Sequence, residues 1–223
     1  MLFRSVNMKF KPEMLQLYFI VGTQDTNNDS EKLLRLVKEA LDSGATAIQY
    51  REKGSNSYLN TEEKINLGKK IHHLTKKAGV PLFVDDDYDL ARAINAEGIH
   101  VGQSDTDPRV IYRKSPDLII GLSVHNLAEL KASQPALKVV DYLGTGSVYV
   151  TTSKKEEIPP VGVSGVKKVA ENTNLPIVAI GGIQEDNVAT LKDAPIAGIA
   201  TISAITKSNN VARTVKVLKQ RGR

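Results

Sequence analysis

Eight short β-branched runs recur from end to end of the chain, separated by polar or amphipathic stretches, and this alternation limits the possible folds more than any other feature. The runs are "LQLYFIV", "TAIQYRE", "PLFVD", "GIHVG", "DLIIGLSV", "VVDYLGTG", "PIVAIGG" and "AGIATIS". Strands that alternate with helical segments argue for a parallel sheet with crossover connections. Eight such units in about 200 residues fit a single-domain (β/α)8 TIM barrel. A doubly wound sheet is the structural alternative. No G-x-G-x-x-G follows the first run, however, and glycine or polar residues gather at the C-terminal ends of the runs, where a barrel builds its active site. Residues 1–14 read as an N-terminal extension and residues 15–223 as the barrel.

The intervening segments carry helix punctuation. Asp29 and Ser30 are cap candidates for a stripe of Leu33, Val37, Ala40 and Leu41 that ends at Gly44. Asn60 and Glu63 have capping-box spacing ahead of Leu67, Ile71, Leu74 and Ala78. Val211, Val215 and Leu218 predict a buried face on a last helix.

Composition narrows the chemistry. The chain has no cysteine, which excludes disulfides, thiolate nucleophiles and zinc-thiolate sites. A net charge of +5 would suit nucleic acid, but the basic residues are scattered and aromatics make up only 5%. An anionic small molecule accounts for the balance equally well. No segment approaches the ~18 apolar residues of a membrane span, and the first residues lack a signal-peptide core. The reading is therefore a cytoplasmic protein with small-molecule substrates and no nucleic-acid or membrane partner.

The strand ends hold the candidate chemistry. In "QYREK", alternation sends Gln49, Arg51 and Lys53 to one side, and two cations with an amide at a barrel mouth suit a polyphosphate. "VDDDYDLA" places Asp85, Asp86 and Asp87 after the third strand, and "GIHVGQSD" places Asp105 after the fourth. Neighbouring strands lie about 5 Å apart, so Asp105 and one aspartate of the triple can face a common point. Two converging carboxylates need a cation, and Mg²⁺ fits hard oxygen ligands shared with substrate phosphates. The competing role for Asp105 is to cap the helix near Asp107-Pro108. His100 reads as packed in the barrel. "GLSVH" offers Ser123 and His125 without a nucleophile elbow or an orienting acid, so Ser123 is cast as a hydrogen-bond donor and His125 as structural. Residues 144–162 read as a lid, in which Thr151, Thr152, Ser153 and Lys154 supply donors to phosphate oxygens. "AIGGI" and "TIS" end the last two strands, where many barrels hold a phosphate.

Taken in order, "LYFIVGTQD", "QYREK", "DDDYDLA", "GIHVGQSD", "GLSVH", "TTSK", "AIGGI" and "TISAI" resemble the thiamine phosphate synthase family from about Leu17 to Ile205. The resemblance implies a TIM-barrel transferase. It joins the pyrimidinylmethyl group of 4-amino-5-hydroxymethyl-2-methylpyrimidine diphosphate to a thiazole phosphate, releasing pyrophosphate. By the same resemblance Mg²⁺ is bound by Asp86 and Asp105. Gln49, Tyr50, Arg51, Glu52 and Lys53 hold the pyrimidine diphosphate together with Asp85, Ser123 and Lys154. Of these, Arg51, Lys53, Ser123 and Lys154 are expected to be catalytic. Thr151, Thr152, Ser153, Gly182, Ile202 and Ser203 hold the thiazole phosphate. Association into homo-oligomers is compatible with it. The sister branch, a thiazole tautomerase, needs neither diphosphate nor metal, so "QYREK", Asp86, Asp105 and Lys154 argue against it. A non-catalytic phosphate-binding barrel is the second alternative.

The chain departs from the family pattern at three places. Asp85 stands where the family usually has Asn, which could donate a hydrogen bond to a diphosphate. Ser147 and Val150 stand where the family usually has Pro, which would stiffen the lid.

Overall fold

The structure, a computed structural model, describes residues 8–54, 57–151 and 159–220. The eight expected strands are present as β1 (Leu17–Val21), β2 (Ala47–Tyr50), β3 (Leu82–Asp85), β4 (Gly98–Val101), β5 (Ile119–Ser123), β6 (Tyr142–Gly146), β7 (Ile177–Ile180) and β8 (Gly198–Thr201). All pair in parallel and in sequence order, and β8 returns to β1 with Leu17 opposite Ile199, so the sheet closes into a barrel without an edge.

The helices form where capping and apolar periodicity agree. In α1 (Ser30–Asp42), the Asp29 side chain accepts from Lys32 N at 2.8 Å, and Leu33, Val37 and Ala40 are buried. In α2 (Thr61–Ala78), Asn60 and Glu63 close the expected capping box, and Gly79 ends the helix in the left-handed region. Asp87 caps α3 (Tyr88–Ala93), and Asp107 with Pro108 opens α4 (Pro108–Lys114). The outer ring continues through α5 (Leu127–Ala132), α6 (Gly162–Ala170), α7 (Ser203–Thr206) and α8 (Val211–Lys219). In α8 the expected Val211, Val215 and Leu218 are buried. Between β7 and β8 the crossover carries only a 3₁₀ turn, Val188–Leu191, in place of an α-helix.

Side chains divide into two apolar regions. Leu17, Phe19, Val21, Ile48, Tyr50, Leu82 and Val84 point outward and pack under the helices. Tyr18, Ile20, Ala47, Phe83, Ile119, Tyr142, Val178 and Ala200 fill the interior. Tyr18, Phe83 and Tyr142 form an aromatic layer with ring centroids 5.1–6.1 Å apart. Phe10 stacks on Tyr142 at 5.9 Å, and Met14 and Leu15 join the same cluster, so the stretch from Phe10 onward forms part of the interior packing. Among the described residues, no helix is long and apolar enough to cross a membrane.

Candidate active site

The interior strand positions end at the C-terminal mouth in polar side chains. On β2, Gln49 faces inward and is 3% exposed, and its Nε2 donates to the Tyr18 hydroxyl at 3.1 Å. Tyr18 and Tyr142 hydroxyls lie 3.0 Å apart, Tyr142 meets His100 Nδ1 at 3.1 Å, and His100 Nε2 meets Ser123 Oγ at 3.0 Å. These bonds form one buried chain from β2 to β5. With the Gln49 amide as donor, one consistent direction passes a proton from each hydroxyl to the next acceptor, and a neutral His100 then donates to Ser123. Ser123 is left with its own proton for the mouth. Burial pushes the hydroxyls of Tyr18 and Tyr142 far above the ordinary tyrosine range, so both remain protonated donors.

His100 thus packs inside the barrel as its sequence context suggests, within a space kept open by glycine. A Cβ on Gly144 would lie 2.9 Å from His100 Cε1, and one on Gly121 would overlap the Tyr142 ring. His125 Nδ1 bonds the Gly146 carbonyl and its backbone N–H donates to Glu129 at 2.8 Å, a structural role.

The three consecutive aspartates serve three different purposes. Asp87 accepts from Leu90 N at 2.9 Å as the cap of α3. Asp85 Oδ2 lies 3.1 Å from Arg51 Nε. Asp86 adopts φ +51, a conformation that aspartate tolerates better than most residues, and its carboxylate accepts from the Lys53 ammonium. Asp105 Oδ1 approaches the same ammonium at 3.9 Å, and its Oδ2 accepts from Gly102 N at 2.7 Å. Asp107, not Asp105, caps α4. Burial works against the charge on Lys53, but Asp86 and then Asp85 and Asp105 outweigh it and raise its pKa above the ordinary lysine value.

Two of the expected residues turn their side chains away from the mouth. Tyr50 faces outward, fully buried among Leu67, Ile71 and other residues under the helices, and its hydroxyl has no hydrogen-bond partner among the described residues. Burial, with Glu52 nearby, pushes that hydroxyl well above its usual range. Glu52 accepts from Thr23 N at 2.6 Å, Thr23 Oγ1 at 2.8 Å and Ser57 Oγ at 2.6 Å. The strand alternation that brings Gln49, Arg51 and Lys53 to the mouth therefore puts the side chains of Tyr50 and Glu52 in the wall, so neither side chain faces the mouth.

On the far side of the mouth, Val148 N and Tyr149 N donate to Ile180 O and Gly181 O, both at 2.9 Å, tying the stretch after β6 to the end of β7. Gly181 and Gly182 have φ +103 and +66, and a Cβ on Gly182 would come within 2.6 Å of the Val150 carbonyl. Ser203 Oγ accepts from Gln184 Nε2 at 3.0 Å, and Ile202 is buried beside it in the chain. Thr151 is half-buried, and Val150 is 81% exposed. Thr152, Ser153 and Lys154 lie outside the described residues. Tyr18 and Tyr142, whose hydroxyls complete the buried chain, are not among the residues that the motifs single out. No signal in the run marks Tyr18 as inward, because β1 is buried on both faces.

A closed barrel whose strand ends offer paired cations and carboxylates, with glycine-rich turns opposite, defines a phosphate-handling enzyme of the (β/α)8 class. A family model described as thiamine monophosphate synthase matches residues 17–205. Thiamine-phosphate synthase of Pediococcus pentosaceus is 45% identical over 213 residues, covering 95% of this chain and 98% of its own length. That of Limosilactobacillus reuteri is 41% identical over 213 residues, with 95% and 98% covered. Among solved structures, thiamine phosphate pyrophosphorylase from Pyrococcus furiosus aligns with TM-score 0.80 at 35% identity, covering 95% of this chain and 96% of its own. The chain belongs to the thiamine monophosphate synthase family and is a transferase of that type.

Proposed function

We propose that this mouth forms thiamine phosphate, transferring the 4-amino-2-methylpyrimidinylmethyl group from its diphosphate to a thiazole phosphate with release of pyrophosphate. The observation that carries the assignment of roles is the convergence of Asp86 and Asp105 on one positive charge, the Lys53 ammonium, beside Arg51.

Arg51, Lys53 and Ser123 face the diphosphate, with Lys154 expected to reach it from the lid. An electron-rich aminopyrimidine stabilises positive charge on its methylene as the C–O bond to diphosphate breaks, and the thiazole nitrogen then attacks that carbon. The leaving diphosphate gains charge as the bond breaks, so cationic and donor groups fixed around it lower the barrier. Ser123 contributes a proton donor whose direction is set by the buried hydrogen-bond chain. Gln49 and the aromatic layer beneath it form the floor on which the pyrimidine ring rests. Thr151, with Thr152 and Ser153, and Gly182, Ile202 and Ser203 across the mouth, hold the thiazole phosphate. Lid closure limits capture of the cationic carbon by water.

Two carboxylates without a third His, Cys, Asp or Glu among the described residues match an ion that keeps waters and takes substrate phosphate oxygens. Mg²⁺ suits that donor set, with Asp86 and Asp105 as its protein ligands. When bound there, it would neutralise charge developing on pyrophosphate.

Incubation of the protein with both substrates and Mg²⁺, followed by chromatography, is expected to yield thiamine phosphate and pyrophosphate in equal amounts. Absence of product at all Mg²⁺ concentrations would overturn the assignment.

A further inference from the structure

Arg51 and Asp85 leave β2 and β3 side by side. The parallel register sets Tyr50 opposite Val84, and one residue further on the two side chains meet with Nε 3.1 Å from Oδ2. Both are largely withdrawn from water, at 12% and 14% side-chain exposure. Despite the short distance, Arg51 Nε makes no hydrogen bond among the described residues, so its approach to Asp85 is Coulombic rather than directional. A guanidinium in a partly dry site gains more from an aligned, bidentate oxyanion than from a misaligned carboxylate. A phosphate group offers that geometry.

The charge balance of the rim points the same way. Lys53 is engaged by Asp86 and faced by Asp105, and Arg51 is faced by Asp85. Among the described residues of this cluster, two cations therefore meet three carboxylates. Asp86 and Asp105 face Lys53 and are read above as ligands of a cation, and Asp87 caps its helix, so Asp85, held against Arg51, is the carboxylate that an incoming anion meets at the guanidinium.

We propose that Asp85 is a built-in counter-ion of the diphosphate subsite. It occupies Arg51 until a diphosphate oxygen takes its place, and its charge makes anion binding depend steeply on a divalent cation. This inference rests on the diphosphate reading of the mouth given above. Asparagine at this position would keep the shape and an acceptor for Arg51, remove the charge, and add a donor for the anion.

The test is calorimetric titration of inorganic pyrophosphate into the full chain, as wild type, Asp85→Asn, Arg51→Ala and the double variant, at a series of Mg²⁺ concentrations. Asp85→Asn is expected to bind pyrophosphate about tenfold more tightly, the effect of removing one nearby like charge in a partly screened site. Its Mg²⁺ midpoint should fall. In the Arg51→Ala background the gain should be clearly smaller, because only through-space repulsion is left to remove. Arg51→Lys, which lacks the Nε contact, serves the same purpose if the alanine variant does not fold. Equal or weaker binding by Asp85→Asn overturns the proposal, as does a gain undiminished in the Arg51 variants. Failure of the wild type to bind pyrophosphate with Mg²⁺ would instead reject the diphosphate subsite itself.

Discussion

The Lys53 ammonium donates to the Asp86 carboxylate across the end of β3, and Asp105 Oδ1 stands 3.9 Å from the same nitrogen. Two carboxylates from neighbouring strands thus already share one positive charge at the mouth. Replacing either with its isosteric amide removes half of that negative pair with little change of shape, and asparagine also tolerates the φ of Asp86. Asp86→Asn and Asp105→Asn are each expected to lower kcat/KM on the order of 10²–10³-fold, the scale on which one electrostatic stabiliser acts. Both should leave far-ultraviolet circular dichroism unchanged. Chelation of divalent ions should suppress the wild type to a similar extent. Wild-type turnover by either variant would remove that residue from the cation site.

The Tyr142 hydroxyl joins two partners, Tyr18 at 3.0 Å and His100 Nδ1 at 3.1 Å. Tyr142→Phe keeps the ring packing and deletes only that link, taking an acceptor from the buried Tyr18 hydroxyl and a hydrogen-bond partner from His100 Nδ1. The expected cost is about 1–3 kcal/mol of stability. For a domain of this size the melting temperature should fall by roughly 2–4 °C per kcal/mol. Because His100 then loses one of the partners that orient it, Ser123 loses its fixed donor direction, and KM for the pyrimidine diphosphate should rise more than kcat falls. A variant with wild-type melting temperature and KM would show that the link does not matter.

Much of this was legible in the sequence, for reasons that are local. Asp29, Asn60 and Asp87 cap helices because a short polar side chain before an apolar stripe can satisfy free N–H groups without help from the rest of the fold. That Asp105 and one aspartate of the triple face each other follows from strand order alone, whereas the choice of Asp86 rests on the family resemblance. Tertiary register is another matter. These strands are buried on both sides, so their polarity does not alternate along most of their length, and the inward face cannot be read from the run itself. Tyr18 and Tyr142, 124 positions apart, become partners only when the barrel closes. The Arg51–Asp85 pair likewise needs the β2–β3 register, and Tyr50 was assigned to the mouth only by its place within "QYREK". The β7–β8 crossover shows the reverse error, an assumed helix where the chain makes only a 3₁₀ turn.

Gly144 provides a steric test of the same interior. An added Cβ would sit 2.9 Å from His100 Cε1 and 3.2 Å from its Nε2, and the ring cannot yield because both its nitrogens are engaged. Gly144→Ala is therefore expected to destabilise the protein by about 1–3 kcal/mol. It should also raise KM for the diphosphate substrate, by displacing His100 from Ser123. Chemical denaturation with parallel kinetics checks both effects, and a neutral result in each would show that the barrel relaxes around the methyl group.

Asp141 gives a prediction in pH. Its Oδ2 accepts from Ile120 N at 2.8 Å, yet burial outweighs that hydrogen bond and raises its carboxyl pKa above the ordinary aspartate value of 3.8. A raised folded-state pKa means that the native protein binds this proton more tightly than the unfolded chain does. The contribution to stability is therefore fully present below the unfolded value, and it is lost as pH rises through the folded value. At neutral pH the ionised side chain is accordingly a burden on the fold. Asp141→Asn keeps an acceptor for Ile120 N and carries no charge. The variant should melt at or above the wild-type temperature at pH 7. As pH falls through the raised folded-state value toward the ordinary aspartate value, the wild type regains its protonated form and the difference should shift in its favour, in full once pH is below the ordinary value. Melting curves of the two proteins between pH 3 and pH 7 read this directly. A difference that moves the opposite way with pH would show that the hydrogen bond from Ile120, not burial, governs this carboxylate.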